Sequence, residues 1–354
     1  MLQINRRTFL LAALAAGCSR PSSDGPLERA ARYLWKQQGP DGGFHSSTYG
    51  LLRSGQSLTP LILSALLKVP DTAPAHQSAI DRALEFIKRN TDAQGALGRM
   101  DASSADYPNY ATSLAVSAII KTRRAGFEGL TQLMIGQLRA QQFSEDNGWK
   151  RADTAYGGWG MGGAIRRPPD AGHVDLSMTR CVIEALKDAG VSSSDPAMAR
   201  ALVFLERCQN PDGGFYFSPV NPEINKAGET EERFNSYGTA TADGVLALRA
   251  AGVAETDDRM VKALNWLRSH HLPDRAPGFE SPAQASRKEW STGLRFYYGY
   301  VISQAAPNLH LEIPGQGADG SFRNANKLVK EDDPLIATAF AVHMLTAAAS
   351  ASLR

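Results

Sequence analysis

The chain offers few groups suited to acid–base chemistry. The best placed are His173 and Asp175, one residue apart where an apolar helical pattern begins. An imidazole beside a carboxyl at a helix start can hold a shifted pKa once buried, which a general acid needs. The competing reading is that Asp175 merely caps that helix. Asp243 is harder to explain as a cap, because it falls one turn inside the apolar run Thr239 to Leu248, where a carboxyl needs a partner or a cavity. A further acidic group is Glu331-Asp332-Asp333-Pro334, in which Asp333 before a proline reads first as an N-cap and second as an acid. His173 and Asp175 could supply two zinc ligands, but no third can be named: Cys181 lies inside the helix and His270-His271 ends an outer one. No metal and no cofactor are expected.

Binding chemistry is suggested by aromatic residues in turns or at the fifth buried helix: Tyr156, Trp159, Tyr237, Trp290, Tyr297 and Tyr298, with Phe215, Tyr216, Phe217 and Phe296 nearby. An aromatic lining suits a long apolar ligand and stabilises a carbocation by cation–π attraction. Core packing in a Gly-rich ring explains any one of them equally well. Two long insertions, Arg151 to Asp170 and Tyr216 to Phe234, have the length of lids or binding elements. In the first, Arg166 and Arg167 could hold a phosphate or diphosphate, or simply form a solvated turn.

From Leu27 onward the pattern is helix, Gly-rich turn, helix, with almost no alternation of the kind a strand shows. The expected fold is all-α. The first helix of each pair (Leu27 to Gln38, Ile80 to Asn90, Leu130 to Gln142, Met198 to Gln209, Met260 to His270) has one charged face and belongs outside. The second (Leu58 to Leu67, Tyr110 to Arg123, Leu176 to Ala189, Thr239 to Ala251, Thr292 to Ala305, Leu335 to Ala348) is poorer in charge, several of them apolar nearly all round, and belongs inside. About six such pairs make an open solenoid or a closed ring around a cavity. The sixth is truncated, because Asn308 to Gly315 is too short for an outer helix, so the ring could be gapped there.

Four stretches punctuate the pairs: Gln38-Gly39-Pro40-Asp41-Gly42-Gly43-Phe44, Gln141 to Trp149, Gln209-Asn210-Pro211-Asp212-Gly213-Gly214-Phe215, and Gln316-Gly317-Ala318-Asp319-Gly320-Ser321-Phe322. Recurrence of one unusual heptad means internal repetition. Each reads as a staple, with Gln capping the outer helix, a turn needing positive φ and an aromatic packing under the neighbouring repeat. These stretches resemble the QW motifs of squalene-hopene cyclases, and the plan from Leu27 to Leu345 is similar to the α/α-toroid shared with protein prenyltransferase β subunits. That resemblance implies chemistry where the inner helices begin, where their N-termini gather and add positive potential. It also implies an isoprenoid-like ligand. The Asp-x-Asp-Asp acid motif of the cyclases is absent, and so is the Asp-x-Cys zinc pair of the prenyltransferases.

The N-terminus reads differently. Asn5-Arg6-Arg7-Thr8-Phe9-Leu10, followed by a short apolar run, resembles a twin-arginine export signal, and Leu14-Ala15-Ala16-Gly17-Cys18 resembles a lipoprotein cleavage box with Cys18 as the lipid-bearing residue. Residues 1–18 are then the signal, 19–26 a tether and 27–354 the toroid, in a periplasmic or cell-envelope lipoprotein held to the membrane by its anchor only. Cys181 and Cys208 sit in apolar helical patterns as small buried hydrophobes, with a bridge between them left open. With 43% hydrophobic and 21% charged residues and a net charge of +2, the composition is globular, and the lack of a basic patch argues against nucleic acid. The sequence thus points to an exported toroid binding an apolar, isoprenoid-like small molecule, as a divergent cyclase or transferase. The alternative is a non-catalytic envelope scaffold with a filled centre and a protein partner that cannot be named.

Overall fold

The computed structural model describes residues 24–70, 73–98 and 107–352. The signal, Cys18 and most of the tether lie outside them. Outer helices are α1 (Pro26–Lys36), α3 (Pro74–Asn90), α5 (Glu128–Ala140), α7 (Pro196–Cys208) and α9 (Asp258–His270). Inner helices are α2 (Leu58–Leu66), α4 (Pro108–Thr122), α6 (Leu176–Asp188), α8 (Gly238–Ala250), the broken pair α10 (Glu289–Gly293) and α11 (Arg295–Ala305), and α12 (Pro334–Ser352).

The periodicity dictates this arrangement. α1 buries only Ala30, Ala31, Tyr33 and Leu34, one stripe of its surface, whereas α4 buries nearly every residue from Pro108 to Ile119. A stripe faces one neighbour; a helix apolar all round must be enclosed. α2 packs on α4, α4 on α6, α6 on α8, α8 on α11, α11 on α12, and α12 back on α2, so the inner ring closes. The sixth unit has no outer helix among the described residues. Its last turn docks on α1 instead, through Gln316 and Arg29. The only strands described, β1 (Trp159–Gly160) and β2 (Val174–Asp175), form one short antiparallel ladder. Cys181 and Cys208 are both buried free thiols.

Gln209 is the C-cap residue of α7 and Gln141 that of α5, but through their backbones. At three staples the side-chain amide instead bridges its own turn to the start of the next outer helix: Gln38 to the Gly42 and Ala79 carbonyls, Gln209 to Gly213 and Arg259, Gln316 to Gly320 and Pro26. The turn aromatic then donates its backbone N–H to an inner-helix threonine, Phe44 to Thr59, Phe215 to Thr241 and Phe322 to Thr338. In the third unit the glutamine is Gln142, bonded to the Gly157 and Ala197 carbonyls, and the aromatic is Trp159, bonded to Thr179. The staple there is Gly157-Gly158-Trp159 rather than Asn147-Gly148-Trp149. Gly157 has φ +88°, and a Cβ on it would collide with the Arg200 carbonyl. Gly157→Ala is therefore expected to destabilise the protein by on the order of 2 kcal/mol from the left-handed backbone alone. A urea-unfolding midpoint equal to wild type would refute this placement of the third staple.

Candidate active site

A cavity of about 490 Å³ lies at the end of the ring where the inner helices begin. Every inner helix except α8 contributes side chains from near its start, most of them apolar or aromatic: Leu58 and Leu61 from α2, Tyr110 from α4, Met178 beside the polar Ser177 from α6, Tyr297 from α11, Ile336 and Phe340 from α12. Phe217 and Trp290 complete the aromatic wall.

Asp175 sits in this wall at 1% exposure. The β1–β2 ladder delivers it to the start of α6, where one carboxylate oxygen accepts the Met178 N–H at 2.8 Å. The cap reading is thus correct for that oxygen. The other oxygen lies 2.7 Å from His173 Nε2, and the half-buried imidazole also faces the cavity, edge-on to Phe217. Asp175 thus caps α6 with one oxygen and meets His173 with the other.

Asp243 lies one layer below. It is fully buried in α8, outside the cavity wall, and its oxygens accept hydrogen bonds from two residues of that wall, Ser177 at 2.5 Å and Tyr297 at 3.0 and 3.1 Å. Arg180 Nε stands 2.7 Å away, a charge contact bent too far for a directed hydrogen bond, and Arg180 Nη1 meets Glu184 at 2.5 Å. Burial pushes the Asp243 carboxyl above its ordinary pKa, against the pull of Arg180. The partner that the sequence demanded for this carboxyl is Arg180.

Asp333 does not line this cavity. It caps α12 through the Leu335 N–H at 2.9 Å and takes a hydrogen bond from Ser46, the first of the two readings given for it. Its neighbour Glu331 is the carboxyl that reaches the cavity wall. Fully buried, it accepts from the Phe296 and Tyr297 N–H groups at the α10–α11 break, at 2.9 and 2.8 Å, and from Asn324 at 2.8 Å. Burial pushes Glu331 up to about 7 from 4.5. The folded protein therefore holds this proton more tightly than the unfolded chain, so the associated stability is full below pH 4.5 and is lost as pH rises through about 7. Glu331→Gln is expected to flatten the thermal midpoint across that window; an unchanged pH profile would show that Glu331 is not its source.

Of the proposed ligand-binding residues, Trp290 and Tyr297 line the cavity. The others do not. Trp159 is the buried staple aromatic, its Nε1–H on the Leu138 carbonyl; Tyr156 bonds to Glu145, Tyr237 packs on Phe279, and Tyr298 meets His271. Arg166 and Arg167 are exposed, with Arg166 paired to Asp170 at 2.6 Å. The cations at the cavity are instead Lys226, Arg287 and Lys330. Lys226 Nζ stands 3.4 Å from the Phe217 ring centroid and 5.8 Å from that of Trp290, and burial pulls its amine down to about 8. Sequence reasoning missed all three, although Lys226 lies in the flagged insertion Tyr216 to Phe234. Among the described residues no three His, Cys, Asp or Glu side chains group as metal ligands would.

Over 196 residues, 54% of its length, the chain is 31% identical to the drimenyl diphosphate synthase of Streptantibioticus cattleyicolor. It spans 32% of that protein. No model of a known protein family matches the sequence. The type II terpene cyclase MstE from Scytonema superposes with a TM-score of 0.56 at 15% identity, covering 92% of this chain and 98% of that one. A variant of MstE in complex with geranylgeranyl dihydroxybenzoate superposes with a TM-score of 0.55 at 15% identity, covering 92% and 96%. A family 76 glycoside hydrolase, a mannosidase from Bacteroides thetaiotaomicron, reaches 0.51 at 9% identity, covering 93% and 99%. The fold is the α/α-toroid of the terpenoid cyclases, and the mannosidase shows that similar rings carry other chemistry.

Proposed function

We propose that the toroid cyclises a linear isoprenoid, with Asp175 as the acid that protonates its terminal double bond. The observation that carries this is a buried carboxyl, bonded to an imidazole, in the wall of an aromatic-lined cavity. Its volume of about 490 Å³ falls within the roughly 300–1,000 Å³ of pockets that enclose a small ligand. The proton moves from Asp175 to carbon, the electron pair of the double bond forms the new C–H bond, and His173 holds the carboxylate left behind. Tyr110, Phe217, Trp290 and Tyr297 face the resulting cation with ring electrons. Lys226, Arg287 and Lys330 suit an anionic group at one end of the substrate, a diphosphate or carboxylate. The similarity to drimenyl diphosphate synthase supports this reading, and the open cavity argues against a filled-centre scaffold.

The test is incubation of the purified chain with farnesyl diphosphate, geranylgeranyl diphosphate and squalene, with products resolved by mass spectrometry. Cyclised product from a diphosphate is expected; no cyclised product from any of the three would sink the reading. The chain is also proposed to be exported and anchored through Cys18. A mature mass beginning at a lipidated Cys18 is expected, and a mass that retains residues 1–17 would overturn it.

A further inference from the structure

We propose that Tyr297 accepts the proton released when the cyclised cation collapses to an alkene, and that Asp243 beneath it receives that proton in turn. This rests on the cyclase reading above and assigns the step that ends the reaction.

Tyr297 is the one cavity-wall residue whose side chain bonds both oxygens of a buried carboxylate, among the described residues. Asp243 joins α8 to Ser177 and Arg180 of α6 and to Tyr297 of α11. It lies in the middle of α8, caps nothing, and sets its charge against Arg180 where apolar side chains of similar volume would often be no less stable. Of the carboxyls that line the wall, Asp175 holds the start of α6 and His173, Glu331 holds the amides that open α11, and Glu223 is exposed. A cation in an apolar cavity ends either by capture of water or by loss of a proton to a base, and the Tyr297–Asp243 pair offers such a base in the cavity wall.

The step balances without a further reactant. The C–H bond beside the cationic carbon breaks, its electron pair becomes the C=C bond, and the proton binds the Tyr297 oxygen as the phenolic proton passes to Asp243. The phenol is regenerated and Asp243 becomes a neutral acid, the form that burial favours. One proton has entered from Asp175 and one has left to Asp243. Tyr297 touches the reacting atoms; Asp243 acts through it and is a positioning residue.

The experiment uses the full chain and whichever isoprenoid diphosphate the wild type consumes, with the ratio of alkene to hydroxylated product read at equal conversion. Wild type is expected to give alkene. Tyr297→Phe keeps the ring and removes the acceptor, so the alkene share is expected to fall by roughly tenfold or more as water captures the cation. Asp243→Asn is expected to shift the ratio the same way, and Asp243→Glu to restore part of it. An unchanged ratio in Tyr297→Phe overturns the proposal, as does a wild type that forms only hydroxylated product. Should Asp243→Asn fail to fold, the Tyr297→Phe ratio alone decides. A wild type that consumes no isoprenoid overturns the cyclase reading itself, which is a different failure.

Discussion

Asp175→Asn is expected to lower cyclisation by roughly 10²–10⁴-fold, the usual contribution of a positioned general acid. The substitution is informative because it separates the two duties of this side chain. Asparagine is as good an N-cap as aspartate, so the bond from the Met178 N–H that opens α6 survives. What disappears is the transferable proton, together with the carboxylate that His173 stabilises at 2.7 Å. The thermal midpoint should therefore stay near wild type while turnover collapses, and substrate binding, followed through quenching of Trp290 in the cavity wall, should persist. Full turnover in Asp175→Asn would remove Asp175 as the acid. A loss of turnover that merely follows a loss of folding would show that the cap was its main role.

How much of this site the sequence carried depends on the range of each signal. Ring and staples were legible because they rest on local period and on a repeated heptad. His173 and Asp175 were legible because the two residues are nearly adjacent, so a helix start brings them together without help from the fold. Asp243 stood out as a carboxyl in an apolar run, though its partner Arg180 comes from the neighbouring inner helix and could not be named. Trp159 was misread because Asn147-Gly148-Trp149 imitates the turn motif while the true turn lies further along, at Gly157-Gly158-Trp159. Arg166 and Arg167 lie outside the main cavity, which adjacency to a Gly-rich loop could not say, since it does not tell which side of the loop faces the ring. Lys226, Arg287 and Lys330 come from three separate turns and meet only when the ring closes. The inner-helix threonines that receive each staple aromatic are a repeated signal that the sequence held and that pattern reading passed over.

The second large effect concerns Arg180, which is 1% exposed. Arg180→Met is expected to destabilise the protein by about 3–5 kcal/mol, because Asp243 is then left as a buried charge without its counter-charge. Arg180→Met combined with Asp243→Leu should recover most of that loss, since two apolar side chains of similar volume bury at no desolvation cost. Urea unfolding of the two single variants, the double variant and wild type closes the cycle. Because the two side chains stand 2.7 Å apart, their effects should be far from additive. Glu184 tempers the result: at 32% side-chain exposure it can turn to water once Arg180 is gone, so it adds little to the penalty. Additive effects would mean that the contact carries no coupling and that Asp243 is not the charge holding Arg180 in place. A double variant as stable as wild type would mean the pair is not kept for stability. The feature the apolar replacement lacks would then be an acceptor beneath Tyr297, and the product ratio of the double variant should move with that of Tyr297→Phe while its unfolding midpoint does not.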